Sequence, residues 1–284
     1  MTSLREIRKR LHSIQSTQQL TKAMEMVAAS QLYRAQIKAK HTSFYAQQLE
    51  NIKNRLSFTE NPSPLMVNRN EKNKIGLIVI AADMGLCGSY NSDIYRAAEK
   101  FLTKYPQDQV ELIPIGRKAV DHYQRRPWKI RHHLHELKQA TKSEEIEKLN
   151  QQLIDWFLSG ELDEIWCVYA HYINLITHTI VTEKFLNIGN SAPDAAISPV
   201  DYLLEPSAQE VYKDVLRRYC ASKVQSFVCD AHCSELSARV CAMKTATKNA
   251  DEMVVKLTLQ RNKVRQAEIT KEMLEITSGA EGLK

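Results

Sequence analysis

Glycine and proline are absent from the first 61 of the 284 residues. All eight prolines and six of the eight glycines fall between Pro62 and Pro206, and the other two glycines follow Ser278. Two long terminal stretches therefore lack the residues that stop helices, and only the middle is punctuated like a domain with turns. Long apolar runs are missing too. The longest, Leu77 to Ala82, is far short of the roughly 20 residues that cross a bilayer, and no apolar signal core stands near the N-terminus. Arg5, Arg8, Lys9 and Arg10 ahead of Ser, Thr and Gln imitate an organelle transit peptide, but a helix cap at Ser3 marks the segment as mature structure. The six cysteines form no CxxC pair and no framework of a secreted domain, so a reducing compartment is expected.

Catalytic motifs are equally scarce. Asp83, Gly85 and Gly88 follow the first expected strand, where a nucleotide-binding fold places phosphate, yet there is no GxGxxG and no lysine-bearing phosphate loop. The glycines are read as serving a tight turn and close helix packing. His132, His133 and His135 alternate too quickly to converge on one metal, although His133 and His135 would share a strand face. Cys229, His232 and Cys233 would share a helix face but leave a tetrahedral metal one ligand short; they are read as packing residues. No serine, histidine and acid constellation and no paired carboxylates are identifiable. Neither an enzyme nor a cofactor or metal site is expected in the middle of the chain.

What is present is periodicity. Leu236, Val240, Met243, Thr247, Ala250, Val254, Leu257 and Val264 are spaced alternately four and three apart, with Arg261 the one break, which is a heptad seam. Leu4, Ile7, Leu11, Ile14, Leu20, Met24 and Val27 recur at helical spacing near the other end, with a polar interruption at QSTQQ and a looser pattern beyond Leu32. Ser3 with Glu6 and Ser207 with Glu210 read as capping boxes, and Gly279 as a helix stop. At about 1.5 Å per residue the two helices would run roughly 85 and 105 Å. The expected architecture is a rod made from the two ends of the chain, residues 1–61 and 207–284, with an α/β domain, residues 62–206, inserted between them.

Within the insert, strands are expected at Lys74–Ala82, Val110–Gly116, Trp128–Leu137, Leu162–Ala170 and Thr177–Ile188. Helices are expected from a cap near Asn91 or Ser92, over Arg117–Arg126 and over Ser143–Ser159. Alternating strands and helices imply a largely parallel, doubly wound sheet whose last two strands form a hairpin. Charge is uneven. Residues 1–57 carry ten Lys or Arg against three acids, residues 58–205 sixteen against twenty, and residues 206–284 thirteen against ten, so the rod is the basic part.

The runs LREIRKRLHSIQSTQQLTKAMEMVAASQLYRAQ, DMGLCGSYN, DYLLEP and ELSARVCAMKTATKNADEMVVKLTLQRNKVRQAEITKEMLEITSGAEGL together resemble the gamma subunit of F-type ATP synthases. The likeness covers the whole chain and is strongest at its ends; from Pro106 to Asn190 it rests on the pattern of strands and helices. It implies a long antiparallel coiled coil of the two terminal helices with an inserted Rossmann-like α/β domain. It implies a non-catalytic rotor of the central stalk, standing inside a ring of three alpha and three beta subunits in one copy per complex. Its foot would bind the epsilon subunit and the membrane c ring, and ion flow would turn it so that each beta subunit passes through binding, synthesis and release of nucleotide.

Residue by residue, the resemblance implies that Arg265, Gln266 and Thr270 touch the catch loops of beta, with Arg239 in the matching segment lower on the same helix. Lys22, Met24 and Glu25 match the segment beside the acidic lever of beta, and Tyr202 and Glu205 match the foot near the c ring. Ser89 replaces a usual glycine, Lys248 stands where an acid is common, and Glu268 occupies a place usually small or neutral, so ion pairs of relatives do not transfer at Lys248 and Glu268. Nothing resembles the inserted segment with a regulatory cysteine pair of the chloroplast type, and no thiol control through it is expected. A bacterial protein, peripheral on the cytoplasmic face of the inner membrane, is the expected setting. Two competing readings remain distinguishable: a basic coiled-coil protein binding nucleic acid through its rod would show salt-steep affinity, and an enzyme in the insert would turn over alone.

Overall fold

The computed structural model describes residues 3–56, 63–66, 74–137, 143–188 and 204–281. Its elements in chain order are α1 (Leu4–Leu56), a 3-10 turn at Pro64–Met66, β1 (Ile75–Ile80), α2 (Tyr90–Leu102) and β2 (Val110–Ile115). Then come α3 (Arg117–Tyr123), β3 (Lys129–Ile130), α4 (Ser143–Leu158), β4 (Glu164–Tyr172), β5 (His178–Leu186) and α5 (Ala208–Glu281). Both long helices start where the sequence places their caps. The amide of Glu6 donates to Ser3 Oγ at 3.3 Å and that of Glu210 to Ser207 Oγ at 3.2 Å. The chain divides into two compact units, Met1–Ala28 with Val240–Lys284, and Ala29–Arg239.

The first unit is a pair of helical segments. Thr21 of α1 meets Thr247 of α5, and Gln18 meets Asp251, so advancing along one segment means retreating along the other: the pair is antiparallel. On α5 the seam read from the sequence is the inward side, with Val240, Met243 and Ala250 buried and Thr247, Val254, Leu257 and Val264 half-buried. On α1 the inward side differs from the expectation. Leu20 and Val27 are about 60% exposed; Met24 is half-buried, and beside it the buried or half-buried set is Leu4, Ile7, Leu11, Ile14, Gln18, Thr21, Glu25 and Ala28. That set alternates three and four residues apart without a break, so the polar stretch QSTQQ does not interrupt the seam but supplies Gln18 to it.

The second unit holds a five-stranded sheet in the order β3-β2-β1-β4-β5, parallel except for the β4–β5 hairpin. Strands that bury both faces must be apolar throughout, as IGLIVI is. Ile78, Ile80, Ile113, Ile115, Ile165 and Cys167 point to a core completed by α4, by Leu49 and Leu56 of α1, and by Leu216, Val224 and Phe227 of α5. Ile75, Leu77, Val79, Leu112 and Val168 point the other way, to Tyr90, Ile94, Phe101, Ala119 and Tyr123 of α2 and α3.

Three local expectations need correcting. The strand expected over Trp128–Leu137 is only Lys129–Ile130 with an isolated bridge from Leu134 to Ile115, because the amide of Leu134 and the carbonyl that receives Gly116 N–H already close the β2 end. Asn91 is not the cap of α2: the helix begins at Tyr90, and the Asn91 carboxamide accepts the Ala82 amide at 3.0 Å and reaches Cys87 Sγ at 3.4 Å, tying the turn after β1. α3 ends at Tyr123, three residues early. Gly116 ends β2 with φ +95°, and a Cβ there would lie 2.1 Å from the Ala81 carbonyl oxygen, so glycine is required by both space and conformation.

Candidate functional site

A doubly wound sheet offers one obvious place for a ligand, the crevice beyond the carboxyl ends of its strands where the strand order reverses, here between β1 and β4. In this chain α5 fills it. Tyr90 Oη donates to the Ala231 carbonyl at 2.9 Å, Ser234 Oγ to the Ala170 carbonyl at 2.9 Å, and Ser237 Oγ to the Leu175 carbonyl at 2.6 Å. Burial, aided by Glu235, pushes the Tyr90 phenol well above its ordinary range, which keeps it a neutral donor. Asp83, in the turn where phosphate would sit, accepts the amides of Arg117 (3.3 Å) and Leu137 (2.7 Å) and so pins two loops together. An anion bound there would face that carboxylate. The turn is built for packing.

The cysteines are also committed to packing. Cys220 and Cys233 are buried, and burial pushes both thiols up to about 12, so neither ionises at neutral pH. Cys229 Sγ lies 3.9 Å from Thr42 Oγ1, and His232 turns Nδ1 toward Glu235 at 3.6 Å. Rings of His133 and His135 meet, with centroids 4.5 Å apart, although neither lies on the strand from which a shared face was expected. Among the described residues no group of three or more metal-binding side chains converges.

The residues singled out for partner contact fall in four places. Lys22, Met24 and Glu25 sit on the α1 segment of the first unit, where Lys22 is exposed and pairs with Glu25 at 3.1 Å. Such a pair within one helix contributes about 0.5 kcal/mol, so it leaves the lysine available. Arg265, Gln266 and Thr270 lie on the α5 segment and are all exposed, with Thr270 Oγ1 bonded to the Gln266 carbonyl. Counting from the Thr21–Thr247 pair, the two groups are separated by roughly 30 Å along the helices, so they would engage different levels of a partner. Arg239 is a different case. It is 8% exposed and donates Nη2 to the buried Glu235 one turn earlier, so its charge is spent within the chain. Glu205 is exposed, and Tyr202 lies outside the described residues.

Apolar exposure is the feature that sequence reasoning passed over. In the first unit Leu20, Met26, Val27, Met253, Val255 and Leu259 are more than half exposed. Continued from the Thr21–Thr247 pair, Leu4 falls opposite about Val264, so α5 runs on from Gln266 to Glu281 with no α1 beside it. Every side chain described there, Gln266 to Ser278, is exposed. Ile269, Met273 and Ile276 nevertheless recur at four and three residues, an apolar stripe facing solvent. The signal was present as a renewed four-three spacing, offset from the seam that ends at Val264.

A family model described as ATP synthase matches residues 3–283. The ATP synthase gamma chain of Protochlamydia amoebophila is 55% identical over 285 residues, covering all of both chains, and that of Moorella thermoacetica is 37% identical over 286, again covering all of both. Among solved structures, a chain of the Euglena gracilis mitochondrial ATP synthase (OSCP/F1/c-ring, rotational state 3) matches with TM-score 0.70 at 19% identity, covering 99% of this chain and 94% of that one. A chain of the Tetrahymena thermophila mitochondrial ATP synthase central stalk and c ring matches with TM-score 0.60 at 20% identity, covering 80% and 99%. At such identities these structures speak for the fold alone.

Proposed function

Since the chain belongs to the gamma-chain family of ATP synthases, we propose that it is the rotor of an F-type enzyme's central stalk, carrying torque between the membrane c ring and the nucleotide sites of beta subunits. The observation that supports this most directly is the single helix from Gln266 onward with its exposed apolar stripe. An unpartnered helix of this length is marginal in water, and a stripe of Ile269, Met273 and Ile276 costs solvation unless something surrounds it. A collar of alpha and beta subunits would do so.

In this reading the chain has no chemistry of its own, and the filled crevice at the carboxyl end of the sheet supports that. Lys22, Met24 and Glu25 meet beta at one level and Arg265, Gln266 and Thr270 at another; Tyr202 and Glu205 belong to the foot. Each exposed contact contributes about 1 kcal/mol or less, so coupling comes from many of them acting together. Three alpha, three beta, one epsilon and the c ring are the partners, with one copy of this chain per complex. Among the described residues no helix is long and apolar enough to cross a membrane, which suits a subunit held at the cytoplasmic face of a bacterial inner membrane through the c ring. Nucleic-acid binding by the basic rod finds no support in the relatives.

The test is co-expression with cognate alpha and beta subunits, size-exclusion chromatography, and ATPase assays of the assembly and each component. An assembly with one copy of this chain per three alpha and three beta, active only when assembled, is the expected result. A chain that elutes apart from alpha and beta would end the rotor reading.

A further inference from the structure

Three cavities follow one another along α5 from Gln209 to Gln225, with volumes of about 670, 300 and 420 Å³. Gln151 and Arg217 line both the first and the second, hydrogen-bonded to each other at 2.7 Å, and Glu147, Arg218 and Ala221 line both the second and the third. They are one groove, bounded by α4 and, at the far end, by His41 to Tyr45 of α1. Sixteen residue-to-residue rises of helix make it about 24 Å long.

Its chemistry changes along its length. The first cavity has an apolar floor of Leu65, Ile154 and Tyr212 and two exposed cations, Lys213 and Arg217, with no carboxylate among the described residues that line it. In the second, Asn150 is 3% exposed, and its Oδ1 has no hydrogen-bond partner. In the third, Ser222 is 5% exposed and its Oγ is likewise without one. Both atoms have almost no accessible surface and lie beneath the groove wall; the charge that faces the groove is Lys213, Arg217 and Arg218 against Glu147 and Asp214, with Arg218 paired to Asp214 at 2.7 Å.

We propose that this groove receives an extended acidic segment of a partner subunit, with an apolar side chain in the first cavity and a carboxylate on Lys213 and Arg217. At about 3.3 Å per residue, 24 Å takes roughly seven residues. A lone small anion reaches only one end. A lipid chain would lie against Glu147, Gln151 and Asp214, which it cannot satisfy. The inference rests on the reading of the chain as one subunit of a larger complex.

The test uses the intact complex, with the photoreactive residue p-benzoylphenylalanine in place of Leu158, an exposed residue lining the first cavity. Subunit composition is checked first, and failure of this chain to co-purify with the other subunits would overturn the rotor reading and this inference with it. With composition intact, irradiation is expected to join Leu158's replacement to a segment of another subunit containing Asp or Glu within about seven residues. Yield should fall at least tenfold in the Lys213→Glu, Arg217→Glu variant of unchanged composition. An intact complex giving only lipid or solvent adducts, a crosslinked segment without acids, or a yield indifferent to the charge reversal would overturn the groove assignment and leave the rotor reading standing.

Discussion

Replacing Arg239 by alanine separates two roles that the sequence alone merges. As a partner contact the arginine would be dispensable to the chain itself, but its guanidinium here is paired with Glu235, whose residue is 3% exposed. Removing one member of a fully buried pair costs about 3–5 kcal/mol, and His232 Nδ1, 3.6 Å from Glu235, makes no hydrogen bond among the described residues that would replace it. For a chain of this size, with a urea slope of about 3 kcal/mol/M, the unfolding midpoint should fall by roughly 1 M or more. A Glu235→Gln, Arg239→Leu double variant leaves no buried charge and should recover most of the loss. Urea unfolding of the isolated chain is the assay, read beside ATP hydrolysis by the assembled complex. An Arg239→Ala midpoint unchanged within about 0.2 M, together with loss of coupled activity, would refute the internal role and return the guanidinium to a partner.

Glu111 offers a test by pH. Burial alone would raise its carboxyl, but hydrogen bonds from Arg131 and Lys129 outweigh this and hold it below its ordinary value. Such a group stabilises the fold above its unfolded pKa of about 4.3 and loses that contribution as pH falls through the lower folded value. Glu111→Gln should therefore cost about 2 kcal/mol at pH 7, with the gap to the parent narrowing steadily as pH falls below the unfolded value toward the lower folded one; a gap that keeps its full size through that fall in urea melts would count against the ion pairs. At the helix seam, Thr21 Oγ1 lies 3.0 Å from the Gln18 carbonyl, Thr247 Oγ1 2.9 Å from the Met243 carbonyl, and the two hydroxyls are 2.9 Å apart. Two protons cannot serve three bonds. The Thr21→Val, Thr247→Val pair should thus be neutral or up to about 1 kcal/mol more stable in thermal melts, and a loss of more than about 2 kcal/mol would contradict the count.

Much of the fold was legible because apolar side chains carried it. KIGLIVIAA announced a strand buried on both faces, and the alternation from Leu236 to Val264 gave the inward side of α5. Where the seam is polar or small, the same logic misled. Leu20 and Val27 were the apolar choices on α1, whereas Gln18, Thr21 and Ala28 turn inward, because a threonine or alanine lets the facing helix come close and hydrogen bonds complete the fit. β3 shrank to two residues because pairing beside the Gly116 turn is a tertiary matter. The candidate surface was readable only in part. Lys22 and Arg265 were singled out by the resemblance and not by any spacing, and the burial of Arg239 depends on its pairing with Glu235 inside the fold, which no local pattern declares.

The filling of the sheet's crevice by α5 also sets a timetable for synthesis. The last strand is complete at Leu186, yet the side chains that close over Ile78, Ile80, Ile113 and Ile115 include Leu216, Val224, Phe227 and Ala231, some 30 to 45 positions later. At about 5–20 residues per second, a nascent sheet waits on the order of 2 to 9 s with one face only partly sheltered by α4 and α1. During that interval the ribosome-bound chain presents an open apolar surface, and a truncation before residue 231 would make the interval permanent.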